Sequence, residues 1–301
     1  MSKRIAKEPE ADKPNKDSLF PDFDTGLIPK RKYKRIEHPI WTENKAQFIS
    51  SYLKYFVQIT KHGVYIDGFA GPQSFHNPES WCASLVLSSE PRWLRKFYLF
   101  EKSAKGYEAL RKLADAESDV FDKNGRPVSR RIQLFPGDFN RKVDQILRSS
   151  KVSQGEATFC LLDQRTFECE WDTVERLAAY KKAPQNKVEI LYFLGVGWIH
   201  RAISGVHDEK VLRRWWGGKD WHIVKEKTAA ELASTFRNRF ELELGYKLAV
   251  PYPVFDSKYG NRIMYYMIHA SDHEDAPALM VRAHGKAVRK PLKSFQQSLA
   301  L

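Results

Sequence analysis

Residues 64–73 read VYIDGFAGPQ. A short apolar run ends in an acid and passes straight into a turn with two glycines. This is the sequence of a buried strand whose far end either turns tightly into a helix or brings backbone close to a ligand. Four more apolar runs follow: FYLFE (97–101), IQLF (132–135), TFCLLD (158–163) and VEILYFL (188–194). Helical patterns lie between them, among them YEALRKLA (107–114) and WDTVERLAAY (171–180). Strands that alternate with helices predict βαβ units and a parallel sheet. The runs are apolar throughout, as strands covered by helices on both faces must be.

Outward from this core, WTENKAQFISSYLKYFVQIT (41–60) places Phe48, Ile49, Tyr52, Leu53 and Phe56 at helical spacing, with Thr42 as N-cap. Residues 196–245 read as mostly helical, broken at GGKDW. KLAVPYPVF (247–255) and IMYYMIHA (263–270), joined by DSKYGN, form a hairpin by turn chemistry. APALMVRAHGKAV (276–288) is a last helix. The predicted fold class is α/β: a Rossmann-like, mostly parallel sheet closed by a C-terminal antiparallel hairpin, the arrangement of methyltransferase-like folds. The predicted organisation is a basic arm (1–38), one such domain (39–290) with a helical insert (196–245), and a polar tail (291–301).

The net charge of +13 attracts polyanions. Residues 1–36 hold ten Lys/Arg and six Asp/Glu, which leaves +9 on the rest of the chain. The excess therefore belongs to the folded part as well as to the arm, and RNA or DNA is the expected polyanion. No apolar run reaches membrane-spanning length and the start lacks a signal-peptide core, so the expected location is cytoplasmic, with no membrane partner. Cys82, Cys160 and Cys169 lack metal-ligand spacing, and no metal site is expected.

Doubly wound sheets bind ligands at the carboxyl ends of their strands. The first strand is followed by Asp67-Gly68-Phe69-Ala70-Gly71-Pro72 and the second ends in Glu101-Lys102. The third runs into Gly137-Asp138-Phe139, the fourth into Asp163-Gln164-Arg165, and after the fifth Gly195 and Gly197 flank Val196. The acid ending the second strand suits a pair of ribose hydroxyls, and Asp138 an adenine amino group. An acidic rim suits a sulfonium cofactor better than a pyrophosphate. Taken singly, Asp67 and Glu101 read equally well as helix caps.

The catalytic candidates are Asp163 and Gln164, which stand where an acceptor amine is held, and Arg165, where a substrate phosphate or carboxylate binds; Glu168 and Glu170 are nearby candidates for a base, with solvated acids as the competing reading. LRRWWGGKDWHIVKEK (212–227) interleaves aromatic and basic groups, so Arg214, Trp215, Trp216 and Trp221 are substrate-surface candidates, with core packing as the competing reading for the tryptophans. Ser271-Asp272-His273 reads as a polar turn, since adjacent residues do not converge as a hydrolytic triad.

In order along the chain, YIDGFAGP, GDFN, LLDQRTFECEW, YFLGVGW and YYMIHASDH resemble the three-Cys-motif partner (TcmP) family from about Trp41 to the last helix. That resemblance implies a fold similar to S-adenosylmethionine-dependent methyltransferases and a partner that is a three-cysteine, radical-SAM-like protein. It implies cofactor roles for Asp67, Gly68, Gly71, Glu101 and Asp138, and an active-site role for Asp163. The chain departs from the family at Gln73, often glycine, and at Asp163-Gln164-Arg165-Thr166, often Asp-Pro-Phe-Gly. The functional expectation is a methyltransferase acting on nucleic acid or a nucleic-acid-associated substrate. The alternative is a non-catalytic Rossmann-like subunit that binds a partner protein or polynucleotide.

Overall fold

A computed structural model describes residues 40–41, 45–72, 80–118, 120–121, 124–149, 151–255 and 263–288. The basic arm, Thr42, Gln73, the DSKYGN connection and the polar tail lie outside them. The chain runs β1 (Ile40–Trp41), α1 (Lys45–Thr60), β2 (Val64–Asp67), α2 (Cys82–Leu87), β3 (Lys96–Glu101) and α3 (Ala104–Ser118). A small ribbon of β4 (Val120–Phe121) and β5 (Pro127–Val128) precedes β6 (Arg131–Pro136), α4 (Phe139–Lys142) and α5 (Asp144–Leu147). Then come β7 (Thr158–Leu162), α6 (Trp171–Tyr180), β8 (Glu189–Gly195), α7 (Ile199–Ser204), α8 (Glu209–Trp216) and α9 (Ala229–Asn238). A hairpin of β9 (Leu248–Phe255) and β10 (Ile263–Ser271) leads into α10 (Ala276–Val288).

The main sheet has the order β1-β9-β10-β8-β7-β2-β3-β6. Only β10 runs against the others: it is antiparallel to both β8 and β9, while the remaining pairs are parallel. The fold is thus the α/β, mostly parallel sheet with antiparallel C-terminal strands that the apolar runs predict. Sequence patterning missed β1 and the β4–β5 ribbon, whose two-residue strands carry too little periodicity to be seen. Pro251 and Pro253 sit in β9, which has β10 along its length but β1 only at Val254 and Phe255. Among the described residues that edge is otherwise unpaired, and such an edge tolerates residues that lack an N–H.

Within each buried strand, neighbouring side chains enter different cores. Tyr65, Phe97, Leu99, Phe159, Leu161 and Phe193 pack with α1, α2 and α10 on one face. Val64, Ile66, Tyr98, Phe100, Cys160, Leu162 and Tyr192 pack on the other face with α6, α8 and α9. The three tryptophans of the 212–227 stretch belong to this second core. Trp215 meets Phe167 and Phe236 edge-on or tilted, and Trp216 meets Phe236. Gly217 closes α8 with φ +84, and a Cβ there would stand 2.6 Å from Cδ1 of Trp171. Glycine both supplies the left-handed cap and lets the turn sit on that indole.

At the amino ends of the parallel strands, a buried polar knot ties α1 to β8 and β10. Glu189 accepts hydrogen bonds from the Tyr52 hydroxyl and, at 3.2 Å, from Oγ of Ser271, and its Oε1 lies 2.8 Å from Nε2 of His269. Asp272 instead accepts the backbone N–H groups of Lys187 and Lys247, and His273 donates its N–H to Ser271. Ser271, Asp272 and His273 therefore fan out as a turn into α10. Replacing Glu189 with Leu is expected to cost about 3 kcal/mol, because Tyr52 and His269 lose a buried acceptor; calorimetric unfolding measures it.

Candidate functional site

The sheet order reverses between β2 and β7. From β2 the chain moves outward through β3 to β6, then returns to place β7 and β8 on the other side. Loops leaving the carboxyl ends of β2 and β7 diverge, and such a divergence opens a crevice. A cleft of about 620 Å³ lies there, lined by the turns after β2, β3, β6 and β7 and by Val211 and Arg214 of α8.

Glu101 organises one wall. Its Oε2 accepts the N–H of Gly71 at 2.9 Å and its Oε1 the N–H of Ser103 at 2.7 Å. A Cβ on Gly71 would lie 2.1 Å from Oε2, so only glycine brings the first turn this close to the second strand. The turn is anchored further by Gly68 N–H to Leu161 O (3.0 Å), Ala70 N–H to Phe100 O (2.8 Å) and Trp81 Nε1–H to Ala70 O (2.6 Å). Gly68, Phe69, Gly71 and Lys102 line the cleft, whereas Ala70 and Pro72 are buried behind it.

The third wall is built by Gly137, Asp138, Phe139 and Asn140. Asp138 is the N-cap of α4: its Oδ1 accepts from the backbone and side-chain nitrogens of Asn140, each at 2.9 Å. The capping reading applies to this acid, which also lines the cleft. Phe139 packs edge-on to Phe100 at 4.8 Å. Asn140, which the sequence reading overlooked although GDFN contains it, binds this loop to the next. It donates to Glu168 O (2.7 Å) and accepts from Glu170 N–H and the Thr173 hydroxyl, both at 2.9 Å.

Asp67 does not open onto the main cleft. It lies two residues beyond Tyr65 on the same strand face, is 1% exposed, and accepts from the Tyr65 hydroxyl and the Phe69 N–H, each at 3.0 Å. Burial pushes its pKa up to about 7, and the Asp163 and Glu101 carboxylates add to the rise against those two donors. Asp67 instead lines the crevice beneath the turn, which it shares with Trp81, Cys82 and Asp163.

Asp163 lines the cleft, but it is bound to a residue the sequence reading missed. Both its oxygens accept from Nζ of Lys45, at 2.9 and 2.8 Å, and the two residues are 7% and 4% exposed. The ammonium also lies over the rings of Phe193 (4.7 Å) and Tyr265 (5.7 Å). Burial alone would lower the Lys45 pKa, yet the carboxylate outweighs it and the pKa stands above the ordinary lysine value. At the first position of an amphipathic helix, Lys45 carries no sequence mark of this pairing.

Gln164 is not among the residues that line the cleft. It is buried, donates from Nε2 to Phe193 O (3.1 Å) and accepts from Cys169 N–H (2.9 Å), so it staples the loop to β8. Arg165 is exposed at the cleft, with Glu168 accepting its backbone N–H at 2.8 Å. Trp215, Trp216 and Trp221 are buried core residues and not a stacking surface. Of the four substrate-surface candidates only Arg214 reaches the cleft, where Nε pairs with Glu170 at 2.9 Å. Gly195 and Gly197 sit against Trp198 and Met264. Among the described residues no group of three or more His, Cys, Asp or Glu is placed to hold a metal, and no helix is long and apolar enough to cross a membrane.

A nucleoside carrying a sulfonium fits these residues. Each Glu101 oxygen takes one backbone N–H and so keeps acceptor capacity for one of two vicinal hydroxyls. Aromatic edges of Phe69 and Phe139 offer an apolar wall, and the rim acids suit a cation.

No family model and no curated protein matches the chain. Solved structures of similar fold include M. jannaschii TYW2 in complex with AdoMet, at 14% identity and TM-score 0.35, covering 73% of this chain and 75% of that one. The methyltransferase domain of bacterial CtHen1-C aligns at 10% identity and TM-score 0.41, covering 76% and 98%. A DUF574 family protein from Streptomyces avermitilis aligns at 12% identity and TM-score 0.41, covering 77% and 83%.

Two outcomes follow from the buried charges. Lys45→Met leaves Asp163 buried without its cation and is expected to cost about 3–5 kcal/mol, while Lys45→Met/Asp163→Leu loses less than the sum of the singles; urea unfolding measures both. Asp67 binds its proton more tightly folded than unfolded. Its contribution to stability is therefore full below the ordinary value of 3.8 and is lost as pH rises through about 7. Asp67→Asn is expected to remove that fall, seen by comparing unfolding midpoints at acidic and mildly alkaline pH.

Proposed function

We propose that the chain is an S-adenosylmethionine-dependent methyltransferase acting on nucleic acid or a nucleic-acid-associated substrate. The observation that carries this reading is the convergence of Glu101, Asp138 and the Gly68–Gly71 turn on one cleft at the sheet's switch point. In this reading Glu101 holds the ribose hydroxyls, Asp138 takes an amino hydrogen of the base, and Phe69 and Phe139 exclude water from its faces. The cofactor supplies an electrophilic methyl group, so the protein's task is alignment of the acceptor.

Lys102, Arg165 and Arg214 supply cationic groups at the cleft, and the +13 net charge favours a polyanionic substrate. The motif order that resembles the TcmP family supports a three-cysteine, radical-SAM-like partner. The alternative, a non-catalytic binding subunit, draws support from the engagement of Asp163 by Lys45 and of Gln164 by backbone.

Isothermal titration with S-adenosylmethionine separates the two. The expected result is stoichiometric binding, weakened roughly 10- to 100-fold by Glu101→Ala through loss of hydrogen bonds to a charged acceptor, with the variant's fold checked by circular dichroism. Absence of binding by the wild type would overturn the methyltransferase reading.

A further inference from the structure

We propose, on the reading of the cleft as a methyl-transfer site, that Lys45 is a built-in occupant of the amine position beside Asp163 and thereby restricts the acceptor to a hydroxyl. The surroundings of its Nζ are those of a bound amine. A carboxylate grips it with both oxygens, Phe193 and Tyr265 present their rings, and water is nearly excluded. Charged and without a lone pair, Lys45 cannot itself accept a methyl group.

Two features close the position to an incoming amine. Both Asp163 oxygens are engaged by a cation tethered through α1, which a free amine must displace. Displacement strands a buried ammonium, a penalty on the order of a hundredfold or more in affinity. Gln164, the next group able to hold an amine, spends its carboxamide on Phe193 and Cys169. A hydroxyl has one hydrogen to place where an amine has two, so it does not need the Asp163 position. Transfer to it forms an O–CH3 bond as the S–CH3 bond breaks, with the bonding pair staying on sulfur and the hydroxyl proton leaving to water in the open cleft. Lys45 acts through Asp163 and is a positioning residue.

The test restores the missing ammonium from solution. Lys45→Ala removes a propylammonium, so propylammonium chloride is titrated into thermal melts of the wild type, Lys45→Ala and Lys45→Ala/Asp163→Asn, with sodium chloride as the ionic-strength control. A saturable rise in Tm confined to Lys45→Ala is expected, because the position beside Asp163 then takes a free amine from solution. Equal responses of all three proteins would overturn the proposal. Should Lys45→Ala not fold unaided, refolding yield with and without propylammonium is the readout, and amine-independent yield counts against it.

In a second arm the wild type receives methyl-labelled S-adenosylmethionine with total RNA, DNA and protein. Label recovered as O-methyl products supports the restriction, and label on an amine nitrogen sinks it. Failure of cofactor binding would remove the methyl-transfer reading while leaving the amine titration interpretable.

Discussion

A sheet covered on both faces leaves its strands one place for ionisable side chains, their ends. This constraint arranges the molecule. The middle strands commit their side chains alternately to the two cores, and the acids fall at the carboxyl ends, beyond the apolar residues. Because side-chain direction repeats every two residues, Asp67, Glu101 and Asp163 share the face that carries α1 and α2. They are near enough for the carboxylates of Asp163 and Glu101 to raise the pKa of Asp67. Such a set of like charges persists only where cations or backbone N–H groups answer it. Here Lys45 answers Asp163, Gly71 and Ser103 answer Glu101, and Phe69 answers Asp67.

α1 is pinned to the sheet by polar contacts as well as by packing. Its first residue pairs with Asp163 at the carboxyl ends of the strands, and Tyr52, two turns on, binds Glu189 near their amino ends. Ion pairs of this kind add little net stability against an apolar alternative, but a wrong alignment of α1 would leave charges unpaired in the core. The Lys45–Asp163 pair is compatible with one register of α1. A slide of the helix by one turn would separate it.

The order of strands and helices could be read from apolar runs because burial on two faces is recorded in every residue of a strand. The glycine turns were readable for a related reason: Gly71 has to be glycine if Glu101 is to reach its N–H. Trp215, Trp216 and Trp221 show where such reading fails. Their interleaving with arginine and lysine matches a stacking surface in composition, but the helical period of α8 turns Trp215 and Trp216 inward and the guanidinium of Arg214 outward, and Trp221, beyond the end of α8, is buried in the same core. Lys45 illustrates the converse, a charged residue on an apparent solvent face that the fold buries.

By itself the sequence determined the α/β alternation, the closing hairpin and the set of strand-end turns that line the cleft, because these depend on local periodicity and on residue type at known offsets. Only the tertiary structure decided which acids remain available there. Asp163 and Lys45 are separated by 118 residues along the chain. No local pattern couples them; the pairing exists because α1 lies on the face to which β7 directs every second side chain.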